Sequence, residues 1–190
     1  MEITALSVPG AFVVTNSVHS DERGEFVEWF RRDRIAEDTG ISFNTVQANL
    51  SMSSQGTFRG IHFADVPPGQ AKYVTCVSGS IQDFVIDIRP GSPHFGNYEM
   101  VELDSSSRGA VLLDVGLGHG FVAMEDKTIV CYLVTDIYKP EAEHAINPLD
   151  PDLGIQLPFD REKLSVSSKD SEAPTLSEAL AVGILPEWKG

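Results

Sequence analysis

The sequence predicts a mostly β protein, a sandwich or a barrel with a few short helices. The middle of the chain is a series of short apolar runs separated by turn residues, as in antiparallel β folds. Helix signals are confined to two short segments. The 190 residues include 42% apolar residues, enough for a buried core in one domain.

The predicted strands follow one another from residue 58 onward. The first is FRGIHF, and the later ones are KYVTCVSG, IQDFVIDI, YEMVEL, AVLLDV, FVAM and TIVCYLVT. Turn signals lie between them at Ser78-Gly79, at residues 90–93 and at Asp126-Lys127. Short strands at this spacing are typical of a sandwich or a barrel.

One strand shows which of its faces is buried. Phe84, Ile86 and Ile88 alternate with Val85 and Asp87. This period of two predicts that one face of the strand is core.

Helices are predicted near the two ends of the chain. RRDRIAEDTG ends in Gly40, which favours one short helix there. Thr175 and Glu178 have the spacing of a capping box, and Gly183 can end that helix. Residues 150–173 contain Pro, Asp and Ser, and we interpret them as an extended arm packed on the barrel.

Composition argues against several classes of partner. The formal net charge is −14 and no basic cluster offsets it, which argues against nucleic-acid binding. No apolar stretch reaches membrane-spanning length, and the N-terminus lacks the basic start of a signal peptide. Cys76 and Cys131 lie in strand-like runs and are expected to be free thiols. We therefore expect a cytoplasmic protein without membrane partners.

Arg59 and His62 are unusual residues for an apolar strand. Lys72 begins a second apolar strand shortly downstream. Two cations and an imidazole are costly in a β core unless they face a polar cavity or an anionic ligand. Strict alternation places Arg59 and His62 on opposite faces, so both can line one pocket only if the strand is distorted at Gly60.

The histidines do not form a metal-binding pattern. His62 is followed by Phe63 and Ala64, so a His-x-His pair is absent, and His119 also lacks a nearby histidine. We predict no metal site. Tyr132 shares a strand face with core valines, where a cavity would give its hydroxyl a partner.

Several segments resemble one enzyme family. They are DERGEF, QANLS, FRGIHF, PPGQAKYV, VIDIRPGSPHFG, GLGHGF, YLVTDIYKPEAE, DPDLGIQLP and SSKDSEAP. In this order they resemble the dTDP-4-dehydrorhamnose 3,5-epimerases, and the resemblance covers nearly the whole chain.

The resemblance implies a fold and a reaction. The fold is a metal-free cupin, a double-stranded β-helix or jelly roll, that forms a homodimer and needs no cofactor. Residues 1–190 would form one cupin-like domain, with an arm and a short helix at about 150–190 packed on it. The reaction inverts C3 and C5 of dTDP-4-dehydro-6-deoxy-D-glucose to give dTDP-4-dehydro-L-rhamnose.

The resemblance also implies roles for residues. His62 matches the general base, Tyr132 the general acid and Asp170 the carboxylate that pairs with the histidine. Lys72 is our candidate for stabilising the enolate, and Tyr138 matches the ring that stacks on thymine. The other positions that match substrate contacts are Arg23, Glu28, Gln47, Ala48, Asn49, Arg59, His119, Glu143 and Lys169.

Four alternatives remain open from the sequence. Asp83 rivals Asp170 as the carboxylate behind His62. A mono-epimerase acting on a related dTDP-4-keto-deoxysugar would use the same residue types. The other two are a non-catalytic sugar-nucleotide binder and a metal-dependent cupin.

Overall fold

Two antiparallel sheets form the body of the protein, which a computed structural model describes for residues 1–189. In spatial order, the first sheet contains β1 (Glu2–Ala5), β2 (Ala11–Thr15), β10 (Ala110–Leu113), β7 (Lys72–Ser78), β12 (Thr128–Val134) and β5 (Gln47–Ser53). β5 is therefore an edge strand.

The second sheet faces the first. In spatial order, it contains β13 (Glu143–Ala145), β6 (Thr57–Ala64), β11 (Gly118–Ala123), β8 (Ser80–Ile86) and β9 (Tyr98–Asp104). A short strand, β14 (Ser165–Val166), pairs in parallel with β6. A separate hairpin is formed by β3 (Val18–Asp21) and β4 (Gly24–Val27). This jelly roll confirms the predicted mostly β cupin-type class.

The helices are short, and two of them, α1 and α3, lie where the sequence predicts them, whereas α2 and the 3₁₀ turns lie in the segment expected to be an extended arm. They are α1 (Arg32–Thr39), α2 (Ser168–Ser171) and α3 (Leu176–Val182), with 3₁₀ turns at Pro151–Leu153 and Arg161–Lys163. Gly40 ends α1 in the left-handed conformation, as Gly183 ends α3. The capping box at the start of α3 is present, with the Thr175 and Glu178 side chains each accepting from the other's backbone N–H.

Apolar side chains form three layers. Between the sheets, Val74 and Val111 pack against Val85 and Val130. On the outer face of the second sheet, Phe58, Phe84 and Ile86 are covered by apolar residues of the C-terminal segment, including Leu153, Leu176 and Ala179. On the outer face of the first sheet, Val14, Tyr73 and Leu112 are covered by Ile35 of α1 and by Phe43.

The C-terminal layer corrects the prediction for IQDFVIDI. We expected one face of this strand to be core, but both faces are buried. Phe84 and Ile86 lie under the C-terminal segment, and Val85 lies between the sheets. A continuous apolar run is what a strand buried on both faces requires.

The predicted strands are all present, but the sequence did not indicate β1, β2, β3, β4, β13 or β14. β5 was missed for a physical reason. Its polar residues Gln47, Asn49 and Ser51 point into a cavity, whereas Leu50 and Met52 point outward and are exposed. This pattern is the reverse of polar-out alternation, so periodicity did not identify a buried face.

Candidate active site

A cavity of about 710 Å³ opens between the two sheets. Its size is within the range of small-molecule sites. Strands β5, β7 and β12 contribute to its walls from the first sheet, and β6, β11 and β13 from the second. The segment at 165–170 contributes the remaining wall.

Strand β6 is distorted where the sequence predicts it. Gly60 has a φ of +129°, and the β6–β11 register shifts between His119 and Phe121. A Cβ atom at Gly60 would lie 2.5 Å from the Cα of Gly120, so only glycine fits. As a result, Arg59 and His62 both line the cavity.

His62 forms a hydrogen-bonded pair with Asp170. Its Nε2 donates to Oδ1 of Asp170 at 2.7 Å, and the carboxylate is 4% exposed. Burial by itself would raise the pKa of Asp170, but its contacts with His62 and Ser167 hold that pKa below the usual value. The carboxylate is therefore ionised at neutral pH and orients the imidazole.

The pairing with Asp170 decides between the two candidate carboxylates. Asp83 does not contact His62, because its Oδ2 accepts a hydrogen bond from Nε2 of His119 at 2.8 Å. His62 and His119 are cross-strand register partners on β6 and β11. Two of the histidines that line the cavity are thus each paired with a buried carboxylate.

Burial shifts the pKa values of Lys72 and Tyr132, which both line the cavity. Desolvation lowers the pKa of Lys72, although the charges of Glu143 and Asp83 oppose this effect. Desolvation raises the pKa of Tyr132, as does Glu143, and Arg59 opposes it. The phenol therefore stays protonated at neutral pH and can donate a proton.

Positive side chains gather at this cavity on an otherwise acidic chain. Arg59 is held by Ser53, whose Oγ accepts from its Nε at 3.0 Å. Lys72 and Lys169 line the same cavity. Arginine and lysine at one site favour an anionic ligand such as a phosphate.

One edge of the cavity carries polar groups and an exposed ring. Nε2 of Gln47 donates to Oδ1 of Asn49 at 2.8 Å, and the Tyr138 backbone N–H donates to Oε1 of Gln47 at 3.0 Å. The Tyr138 ring is 55% exposed and is available for stacking. Glu143 lines the cavity and accepts from Nε2 of Gln70 at 3.1 Å.

Three predicted site residues do not line the cavity of their own chain. Arg23 and Glu28 lie in and just after the exposed hairpin, where they pair with Asp21 and Arg31. Ala48 lies on β5, but strand alternation directs its side chain away from the cavity. The match of the segment Gln47-Ala48-Asn49 to substrate contacts stays a prediction for Ala48.

The cavity also contains residues that sequence reasoning missed. Ser51, Gln70, Phe121 and His144 line it, as does the segment at 165–167. Gln70 lies two residues before Lys72 in PPGQAKYV, so its position was a usable signal. The others depend on strand pairing that no local pattern shows.

Residues 1–189 lack both the side-chain cluster of a metal site and a helix that could span a membrane. Within this range, no group of three or more His, Cys, Asp or Glu side chains is arranged to hold a metal ion. In the same part of the chain, no helix combines the length and apolarity needed to cross a membrane.

Comparison with known proteins identifies the family. The model of a family described as dTDP-4-dehydrorhamnose 3,5-epimerase matches residues 5–178. The chain belongs to this family. Similar proteins include a 3-epimerase and a 3,5-epimerase, which differ in the carbon atoms that they invert. What they share is that both are sugar-nucleotide epimerases, and this chain is one as well.

Three relatives show how far the likeness extends. A dTDP-4-dehydrorhamnose 3-epimerase of Streptomyces niveus is 46% identical, covering 99% of this chain and 90% of its own. The solved structure of an rmlC epimerase of Mycobacterium tuberculosis is 44% identical, with a TM-score of 0.96 and coverage of 100% and 95%. A 3'-monoepimerase of Streptomyces bikiniensis, solved in complex with dTDP-quinovose, is 44% identical, with a TM-score of 0.93 and coverage of 97% and 92%.

Proposed function

We propose that this enzyme inverts both C3 and C5 of dTDP-4-dehydro-6-deoxy-D-glucose and releases dTDP-4-dehydro-L-rhamnose. The observation that carries the proposal is one cavity lined by a carboxylate-paired histidine, a protonated tyrosine and a buried lysine. The family description and the nucleotide sugar bound by the S. bikiniensis relative support the substrate class.

His62 acts as the base. A hydrogen on a carbon next to a ketone is weakly acidic, and an imidazole has a proton affinity suited to removing it near neutral pH. Asp170 fixes Nε2 as the protonated nitrogen, so the other ring nitrogen accepts the proton from carbon. The carboxylate also stabilises the imidazolium that forms.

Lys72 stabilises the enolate. Proton removal places negative charge on the C4 oxygen, and a cation in a cavity with little water stabilises that charge strongly. The Lys72 side chain is buried and lines the cavity, so its ammonium is suited to this role.

Tyr132 completes inversion. A base on one face of the ring would return the proton to the side from which it came. Tyr132 projects from the first sheet, whereas His62 belongs to the second, so the two groups approach the cavity from different walls. The phenol then delivers a proton to the opposite face of the sugar.

The remaining residues bind the nucleotide. Arg59 and Lys169 bind the diphosphate, and Tyr138 stacks on the thymine ring. Gln47, Asn49, His119 and Glu143 hold other polar groups of the substrate.

A homodimer completes the site. Phe26, Val46, Leu50 and Met52 are between 56% and 69% exposed, and Leu50 and Met52 lie on the edge strand β5. An exposed apolar patch beside a free strand edge favours association with another chain. The hairpin would carry Arg23 and Glu28 into the partner's cavity.

Proton NMR in D₂O tests the reaction. The expected result is deuterium at both C3 and C5, with the L-rhamno product, and no exchange in His62→Ala. Exchange at one carbon only would replace the proposal with a mono-epimerase, as the names of two relatives suggest. Binding of dTDP without any exchange would indicate a non-catalytic binder. Stoichiometric bound metal with loss of activity on chelation would indicate a metal-dependent cupin.

A further inference from the structure

Asp83 is a charged residue in the apolar layer between the sheets. Its neighbours on the same face of β8 are Ile81 and Val85, both in the inter-sheet core, and Asp83 itself is 0% exposed. Burying a carboxylate costs on the order of several kcal/mol. A protein with an apolar residue at such a position is often as stable or more stable. Folding alone therefore does not explain an aspartate at this position.

The first contact of Asp83 is with His119. Oδ2 accepts from Nε2 of His119 at 2.8 Å, which engages one ring nitrogen and sets the orientation of the ring. His119 is 8% exposed and lines the cavity. The nitrogen that Asp83 does not engage is the one left for a ligand.

The two carboxylate oxygens of Asp83 have different surroundings. Within residues 1–189, Oδ1 of Asp83 is buried and has no hydrogen-bond partner. The hydrogen bond with His119 is therefore the only one that the Asp83 carboxylate accepts within this range.

We propose that Asp83 is a positioning residue of the epimerase, which orients His119 without touching the substrate. The inference rests on the proposed function, because it assigns a task within the same site. The site then has two carboxylate–histidine pairs with different tasks. Asp170 orients the base His62, and Asp83 orients His119, which holds a polar group of the substrate.

Two substitutions of Asp83 test this inference. Asp83→Asn keeps the shape and removes the charge, and Asp83→Leu also removes the hydrogen bond. We expect each to lower the rate constant of exchange in D₂O about 10- to 100-fold. The dissociation constant of dTDP should change by less than about threefold, because the loss falls on the chemical step. Asp83→Leu should unfold at an unchanged or higher denaturant concentration.

Asp87→Asn is the matched control. Asp87 is also 0% exposed and follows β8 directly, but its partners are Arg89 and Ser92 and it does not line the cavity. It should lower the unfolding midpoint and leave the exchange rate constant unchanged. A purely structural role for Asp83 would give the same result as this control.

A spectroscopic measurement separates this inference from the proposed function. In wild-type protein, the ¹⁵N and ¹H resonances of the His119 ring should show a hydrogen-bonded Nε2–H that is lost in Asp83→Leu. This result does not depend on turnover. Wild-type exchange with unchanged rate constants in both Asp83 variants would overturn the inference and leave the proposed function standing. Absence of exchange in wild-type protein would overturn the proposed function, and the ring resonances would still show whether Asp83 orients His119.

Discussion

Burial shifts the pKa values of two cavity residues in opposite directions. Lys72 and Tyr132 both lose water, but desolvation favours the neutral form of each group. It therefore lowers the pKa of the ammonium and raises that of the phenol. As the pH rises, Lys72 loses its proton before an ordinary lysine would, whereas Tyr132 keeps its proton beyond the ordinary range of a tyrosine.

We predict that the alkaline limb of the pH–rate profile belongs to Lys72. The rate of solvent exchange should fall with a midpoint below 10.5, the ordinary lysine value. Lys72→Met should abolish this limb and leave a slow rate that does not vary over the same range. The measurement is the initial rate of deuterium incorporation, with circular dichroism to show that the protein stays folded. A midpoint that moves in Tyr132→Phe would assign the limb to tyrosine instead.

Tyr132→Phe should separate proton removal from inversion. The substitution removes the acid and keeps the base, so exchange should fall less than net inversion, which should fall about 100-fold or more. NMR of the product mixture measures both in one experiment. Tyr98→Phe is a suitable control, because Tyr98 does not line the cavity. Inversion of both centres at the wild-type rate in Tyr132→Phe would show that another acid is responsible.

Strand β6 shows how one element can direct two neighbouring side chains to the same cavity. A regular strand would separate Arg59 and His62 onto opposite faces. The irregular register at Gly60 and the close approach of Gly120 bring both to one side. The distortion is therefore part of the site and depends on a residue without a side chain.

Gly60→Ala should destabilise the enzyme more than backbone conformation alone can explain. Gly24 is a matched control, because its φ of +128° equals that of Gly60 within one degree and no atom lies within 4 Å of an added Cβ. Gly24→Ala reports the cost of the conformation, about 1–3 kcal/mol. Gly60→Ala adds a backbone clash and should cost about 2 kcal/mol more. Urea unfolding measures both, and equal losses would show that the clash is relieved without cost.

At the scale of the whole molecule, two features favour association with a second copy of the chain: exposed apolar residues, and predicted site residues that lie outside the cavity. The hairpin carries Arg23, whose side chain is 84% exposed, away from the cavity of its own chain. The exposed residue Phe26 lies on the hairpin, and the exposed residues Leu50 and Met52 lie on the edge strand β5. Association through this surface would bury the patch and bring the hairpin to a second cavity.

Arg23→Ala should weaken dTDP binding although Arg23 does not line its own cavity. We expect a loss of about tenfold if the guanidinium contacts the diphosphate in the partner. Arg34→Ala is the control, because Arg34 also forms exposed ion pairs, on α1. Calorimetric titration with dTDP measures the effect. Unchanged affinity in Arg23→Ala would remove Arg23 from the site.

The paired substitution Leu50→Glu and Met52→Glu should convert a dimer into monomers, because it places charges in the apolar patch. Sedimentation at several concentrations measures the assembly. A monomeric wild-type protein would contradict the proposed dimer.

The sequence by itself determined the fold class, the caps of the helices and the residue types of the chemistry. These features depend on local patterns: period-two apolar runs, a capping box, and charged residues in a strand that otherwise looks like core. The family resemblance added His62, Tyr132 and Asp170 as one set. Local features of this kind can be predicted from the sequence because their physical causes act over a few neighbouring residues.

Only the tertiary structure decided which groups meet. It paired Asp170 with His62 and Asp83 with His119, although both aspartates were candidates for the same histidine. It buried both faces of β8, turned the polar face of β5 into a cavity wall, and left Arg23 outside. These outcomes depend on contacts between distant segments, because pairing across strands and the packing of the C-terminal segment leave no local pattern in the chain.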